Sequence, residues 1–150
     1  MTAREPQAPS QAVANVMRAN RKVDSRPEVM LRSALQKAGL RFRKNRTLLA
    51  GGVRAQVDVV FPRQRVAVFM DGCFWHGCAK HGNEPRANVG YWVPKLERNR
   101  RRDTLVSAAL TADGWRVVRV WEHVPPNDAA LAIARLVRAP VIGNQLTRVE

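Results

Sequence analysis

Two groups of residues have the types and spacings that chemistry needs. The first is Cys73-x4-Cys78-x2-His81, with His123 further along the chain. Zinc takes four nitrogen or sulfur donors in a tetrahedron, and a site closed by protein groups alone is structural. His123 can complete that set if its strand end lies beside Cys73. A rival set of Cys73, His76, Cys78 and His81 crowds four ligands into one short stretch and leaves His123 idle. Cys73 and Cys78 are the only 2 cysteines, and two of the 3 histidines lie beside them, so a metal explains them better than a short-loop disulfide.

The second group is acidic. Asp58 sits inside Val57-Asp58-Val59-Val60-Phe61, where a charge is costly unless it is paired or bound to metal. Asp71 closes the next strand candidate, and two acids on adjacent strands can share a hard divalent cation such as Mg²⁺. The alternative is an Arg partner for Asp58, and spacing alone separates the two poorly. Leu96, Asn99, Asp103, Val106 and Leu110 share one helical stripe. That stripe turns Asn99 and Asp103 toward the sheet, as a site at one helix end requires. Arg98, Arg100, Arg101 and Arg102 lie mainly off it and suit a phosphate track. Phe74-Trp75, in a Gly-flanked polar loop, either plugs the zinc site or stands out to stack on bases.

These residues need elements to hold them. Ser25-Arg26-Pro27-Glu28 is a capping-box pattern opening a helix that Gly39 closes. Strands are expected at 53–61, 66–70 and 115–121, with helices at 94–112 and, capped by Asn127, at 128–138. The order α-β-β-α-β-α gives a small α/β domain. If strands 66–70 and 115–121 run parallel around the long helix, Cys73 and His123 leave the same sheet edge, where ligand sites form. Residues 1–10 are expected to be a disordered tail, 11–140 a single domain with a basic arm at 11–24, and 141–150 a C-terminal tail.

Composition fits this reading. The 150 residues are 45% hydrophobic and 25% charged, enough for one packed domain. Lys and Arg number 26 against 12 Asp and Glu, a net charge of +14 that calls for a polyanion, with nucleic acid first. No apolar run is long enough to span a membrane, and residues 1–10 lack the apolar core of a secretory signal. A cytoplasmic protein is expected.

The string Phe69-Met70-Asp71-Gly72-Cys73-Phe74-Trp75-His76-Gly77-Cys78 resembles the very short patch repair (Vsr) endonucleases, bacterial DNA mismatch enzymes. The likeness runs from about Asn15 to His123. It takes in Asn15-Val16-Met17-Arg18, Glu28, the Asp58 strand, Trp92-x2-Lys95-Leu96-x2-Asn99-x2-Arg102-Asp103, and Gly114-Trp115 through Trp121-Glu122-His123.

The resemblance implies a restriction-endonuclease-like fold with a mixed sheet, flanking helices and a structural zinc loop. It also implies Mg²⁺-dependent nicking of the thymine strand at a T·G mispair in double-stranded DNA. In that reading Asp58 and the Met70 carbonyl hold Mg²⁺, His76 is the general base, Asp103 orients it, and Glu28 is an accessory acid. Met17, Arg18, Phe74, Trp75, Lys95 and Asn99 meet the DNA, and Cys73, Cys78, His81 and His123 hold Zn²⁺. A nucleoid-associated monomer working beside mismatch-repair proteins is the expected setting. The chain departs from the pattern at Asp71, where a family relative carries His, and at His123, where that relative has Cys.

Overall fold

The computed structural model describes residues 25–72, 88–139 and 146–150. Helix α1 spans Arg26–Lys37 with Pro27 in its first turn, where a missing N–H costs nothing. The capping box does not form, because the Ser25 side chain makes no capping bond and Glu28 turns to Arg32, 3.6 Å away. The helix ends as expected: Gly39 takes φ +80, its N–H bonds to the Gln36 carbonyl and that of Leu40 to Leu35.

Strand β1 (Arg43–Ala50) follows, then β2 (Val53–Phe61) and β3 (Val66–Asp71). Helix α2 spans Val89–Ala112, β4 Arg116–Trp121, α3 Pro126–Arg138 and β5 Leu146–Val149. The five strands form one sheet in the order β1-β2-β3-β4-β5, antiparallel through β3 and parallel from β3 to β5. The mixed α/β architecture and the parallel β3–β4 pair are as the sequence indicates.

Four elements differ from expectation. Strand β1 is new: its Arg43-Lys44-Asn45-Arg46 start hides the alternation, because an edge strand buries little. Strand β5 forms within the expected C-terminal tail. Helix α2 begins before Pro94, which sits inside it and costs only one bond near the start. Helix α3 opens on Pro126, not on an Asn127 cap.

Helices α1 and α3 share one face of the sheet. Leu31, Leu35, Ile133 and Val137 pack there on Val59, Phe61, Val66, Val68, Val118 and Val120. On the other face Val106 and Leu110 of α2 pack with Val57, Val60, Ala67, Phe69, Val117 and Trp115. Removing a buried side chain of this size from water stabilises by roughly 1.5–3 kcal/mol, so both layers hold the sheet rigid. Trp92, Trp115 and Trp121 are all buried, as core or core-edge rings should be.

Candidate active site

Strand β2 changes phase at Asp58. Val57 packs in the α2 layer while Val59 packs in the α1–α3 layer, although alternation would put both on one face. Pairing with β1 runs through unshifted, from Arg46↔Val57 to Lys44↔Val59, so no residue is inserted. Asn45, between those pairs, takes φ 51. The twist turns the Asp58 carboxylate toward β3, where Oδ2 accepts a 2.7 Å bond from the Met70 N–H. A strand residue points its N–H and C=O to the same side when it faces an antiparallel partner. The Met70 carbonyl therefore faces the Asp58 side.

The surroundings of Asp58 are acidic. Burial pushes its carboxyl from 3.8 up to about 7, Glu28 and Asp71 add to the rise, and Met70 and Arg32 oppose it. Glu28, opening α1, is thus brought to Asp58, with Arg32 paired to it one turn on. Beyond the desolvation, the Glu28 and Asp71 carboxylates add to the cost of negative charge at Asp58.

Asp71 is held quite differently. It is 1% exposed, with Oδ1 accepting from Arg119 at 2.9 Å and Oδ2 from Arg148 at 2.6 Å. Arg119 also donates to Ser107 Oγ and to the Asp103 carbonyl, and lies 3.7 Å from the Asp103 carboxylate. Its guanidinium stacks on Phe69, and that of Arg148 on Trp121. The expected pairing of a strand acid with an Arg is real, but it belongs to Asp71 and not to Asp58. With both oxygens spent on arginines, Asp71 is a structural anchor and not the second metal ligand that strand adjacency suggested.

Sequence reading missed Arg119 and Arg148. Arg119 stands in a six-residue strand buried throughout, the same signal that singled out Asp58. Arg148 gave none, since β5 is four residues long and half exposed.

Helix α2 carries the next group on its inner stripe. Asp103 and Asn99 are half-buried between buried Leu96 and Val106, as its periodicity requires, and Arg98, Arg100, Arg101 and Arg102 are exposed. Lys95 is folded back over Tyr91 and Trp92, with Nζ 3.3 Å from the Tyr91 hydroxyl. His123 stacks on Trp121 just beyond β4. The Glu122 N–H donates to the Asp71 carbonyl at 2.9 Å, which joins the end of β3 to the residue before His123. His76, Cys73, Cys78, His81, Phe74, Trp75, Met17 and Arg18 lie outside the described residues. Among the described residues no three His, Cys, Asp or Glu side chains converge as a preformed metal cage.

The family model for the DNA mismatch endonuclease Vsr matches residues 8–81, which include Glu28 and Asp58. A type II nicking enzyme of Lentzea aerocolonigenes, V.NaeI, is 52% identical over 118 residues, covering 78% of this chain and 71% of its own. V.XorIIP of Xanthomonas oryzae, also a type II nicking enzyme, is 44% identical over 108 residues, covering 71% and 76%. The chain belongs to the Vsr family. The Vsr DNA mismatch endonuclease of Escherichia coli is 35% identical over 108 residues, covering 71% of this chain and 66% of its own. A DNA endonuclease is therefore the class of enzyme, and the +14 charge suits its polyanionic substrate. No helix among the described residues is long and apolar enough to cross a membrane.

Proposed function

We propose that the protein nicks one strand of double-stranded DNA at a T·G mispair in a Mg²⁺-dependent hydrolysis. The observation that carries this reading is Asp58: a half-buried carboxylate set against a strand backbone, its charge disfavoured first by burial and then by Glu28 and Asp71. That donor set fits a hard divalent ion, which oxygen ligands hold with several waters retained. The Asp58 carboxylate and the Met70 carbonyl would hold Mg²⁺, and Glu28 would add negative charge beside it. When bound, the ion supplies Lewis acidity to the scissile phosphate.

The protein's own groups do the rest. His76 accepts the proton of the attacking water, and Asp103 orients the imidazole so that it is ready to accept. Asp103 can do this because Arg119 fixes its turn of α2 to the sheet through two bonds, to Ser107 Oγ and to the Asp103 carbonyl. Phe74 and Trp75 from the loop and Met17 and Arg18 from the arm enter the duplex beside the mispair, where stacking is already weak. Wedging there costs less than at a matched step, so deformation energy selects the site. Lys95 and Asn99, on the site end of α2, meet the odd bases. Cys73, Cys78, His81 and His123 would hold Zn²⁺, which would clamp the wedge loop to the edge where β3 and β4 end.

Incubation with Mg²⁺ and end-labelled duplexes that differ only in T·G against T·A tests the reading. Nicking of the thymine strand in the mispaired duplex alone is expected. Equal cutting of the matched duplex overturns mismatch selectivity and leaves a sequence-specific nickase, as the names of the type II relatives would suit.

A further inference from the structure

We infer that the β1–β2 hairpin reads the base pairs flanking the nicked step, through Thr47, Leu49, Arg54 and Gln56. This rests on the nicking function proposed above and names the part that would set its sequence context. The hairpin outruns the rest of the sheet. Continuing the Val59↔Val68 register puts Gln56 level with Asp71, the last residue of β3, yet pairing of β1 with β2 goes on to Ala50↔Val53. Three further residues at about 3.3 Å each carry the ribbon roughly 10 Å past the edge where Asp71 and Trp121 end their strands. Gly51 and Gly52, with φ +54 and +77, make the tight turn at its tip, and among the described residues nothing approaches within 4 Å of where a side chain would begin.

The two faces of this ribbon are unlike. Ala50 and Ala55 are buried in the α2 layer, with Leu48 and Val53 packed against them, and that side holds the hairpin in place. The opposite side presents the cross-strand pairs Leu49↔Arg54 and Thr47↔Gln56, all four residues exposed, Leu49 at 70%. None of their side chains forms a hydrogen bond or ion pair among the described residues. An anchored ribbon with an exposed apolar group between unspent donors is poorly accounted for by solubility alone.

The chemistry matches the edges of bases. Arg pairs with the two acceptors of guanine, Gln with the donor and acceptor of adenine, and an aliphatic group or Thr methyl packs on the thymine methyl. A two-stranded ribbon fits the major groove of B-DNA, and the net charge of +14 favours duplex DNA as the occupant. Gln56 is two residues from Asp58, about 7 Å along the strand, and Arg54 about 13 Å. The contacts therefore fall about two to four base pairs from the cut.

The test uses the full-length protein and mispaired duplexes randomised at the four base pairs on each side of the T·G. Binding is read in Ca²⁺ and nicking in Mg²⁺. Arg54→Ala and Gln56→Ala should each flatten the preference at one flanking position by about 10-fold or more, leaving poor-context duplexes nearly as they were. Arg63→Ala, at the far end of the sheet beyond β2, should leave every preference intact. An equal loss on all flanks with a shallower salt dependence would mean phosphate contact only and overturn the inference. So would unchanged preferences in both variants, which would mean that something other than DNA covers this face. Failure of the mismatch reading shows separately, as indifference of the wild type to T·G against T·A.

Discussion

Asp58, half-buried, and Asp71, fully buried, are carboxylates on neighbouring strands, and their surroundings are opposite. Asp71 has two guanidiniums on its two oxygens, and Arg119 ties it to α2 while Arg148 ties it to β5. Asp58 has one backbone N–H, two acidic neighbours, and a carboxyl pushed up to about 7. A fold that had only to neutralise its strand acids would have treated the two alike. The contrast separates an acid that holds the sheet together from one whose charge its surroundings disfavour, the feature on which the proposed cation site rests.

The sharpest way to break the comparison is to exchange their losses. Asp58→Asn should keep the bond from the Met70 N–H and the fold, yet reduce nicking below detection; retained nicking in a Mg²⁺ assay would move the metal elsewhere. Asp71→Ala should instead lower stability by about 3–5 kcal/mol, because it strands Arg119 in the core. Urea unfolding measures it, and a loss below about 1 kcal/mol would deny Asp71 its anchoring role.

The pH dependence of metal-free stability should come next. Asp58 keeps a proton in the folded state that the unfolded chain has released, so its contribution is lost as pH rises from about 4 through about 7 and stays lost above. The shift from 3.8 to about 7 corresponds to a swing on the order of 4 kcal/mol. Asp58→Asn should flatten that part of the curve, and an identical pH profile in the variant would contradict it. Smallest is Arg148→Met, which leaves Arg119 on Asp71. Arg148 is about a third exposed, and the change should cost roughly 1 kcal/mol in the same unfolding measurement.

The sequence was most legible where burial imposes a period or forbids a charge. The inner stripe of α2, the strands that supply Asp58 and Asp71, and the parallel β3–β4 pair follow from such patterns. Strand β1 escaped because an edge strand rich in Arg and Lys has no apolar face to display, and β5 because four half-exposed residues make no pattern. The partners of Asp71 were hidden for another reason. Arg119 lies 48 positions away and Arg148 77, and only sheet order brings them together. Glu28 beside Asp58 came through the family resemblance alone, since its spacing reads equally well as a helix cap, and the cap is what the structure does not form.

Thermal melting of the metal-free protein at pH 8, titrated with Mg²⁺ or Ca²⁺, tests most directly whether Asp58 is kept for a divalent cation. The melting temperature of the wild type should rise with saturable dependence on the ion, while Asp58→Asn, already stabilised without metal, shows no such rise. A wild type indifferent to both ions, or a variant that responds as the wild type does, would contradict the account.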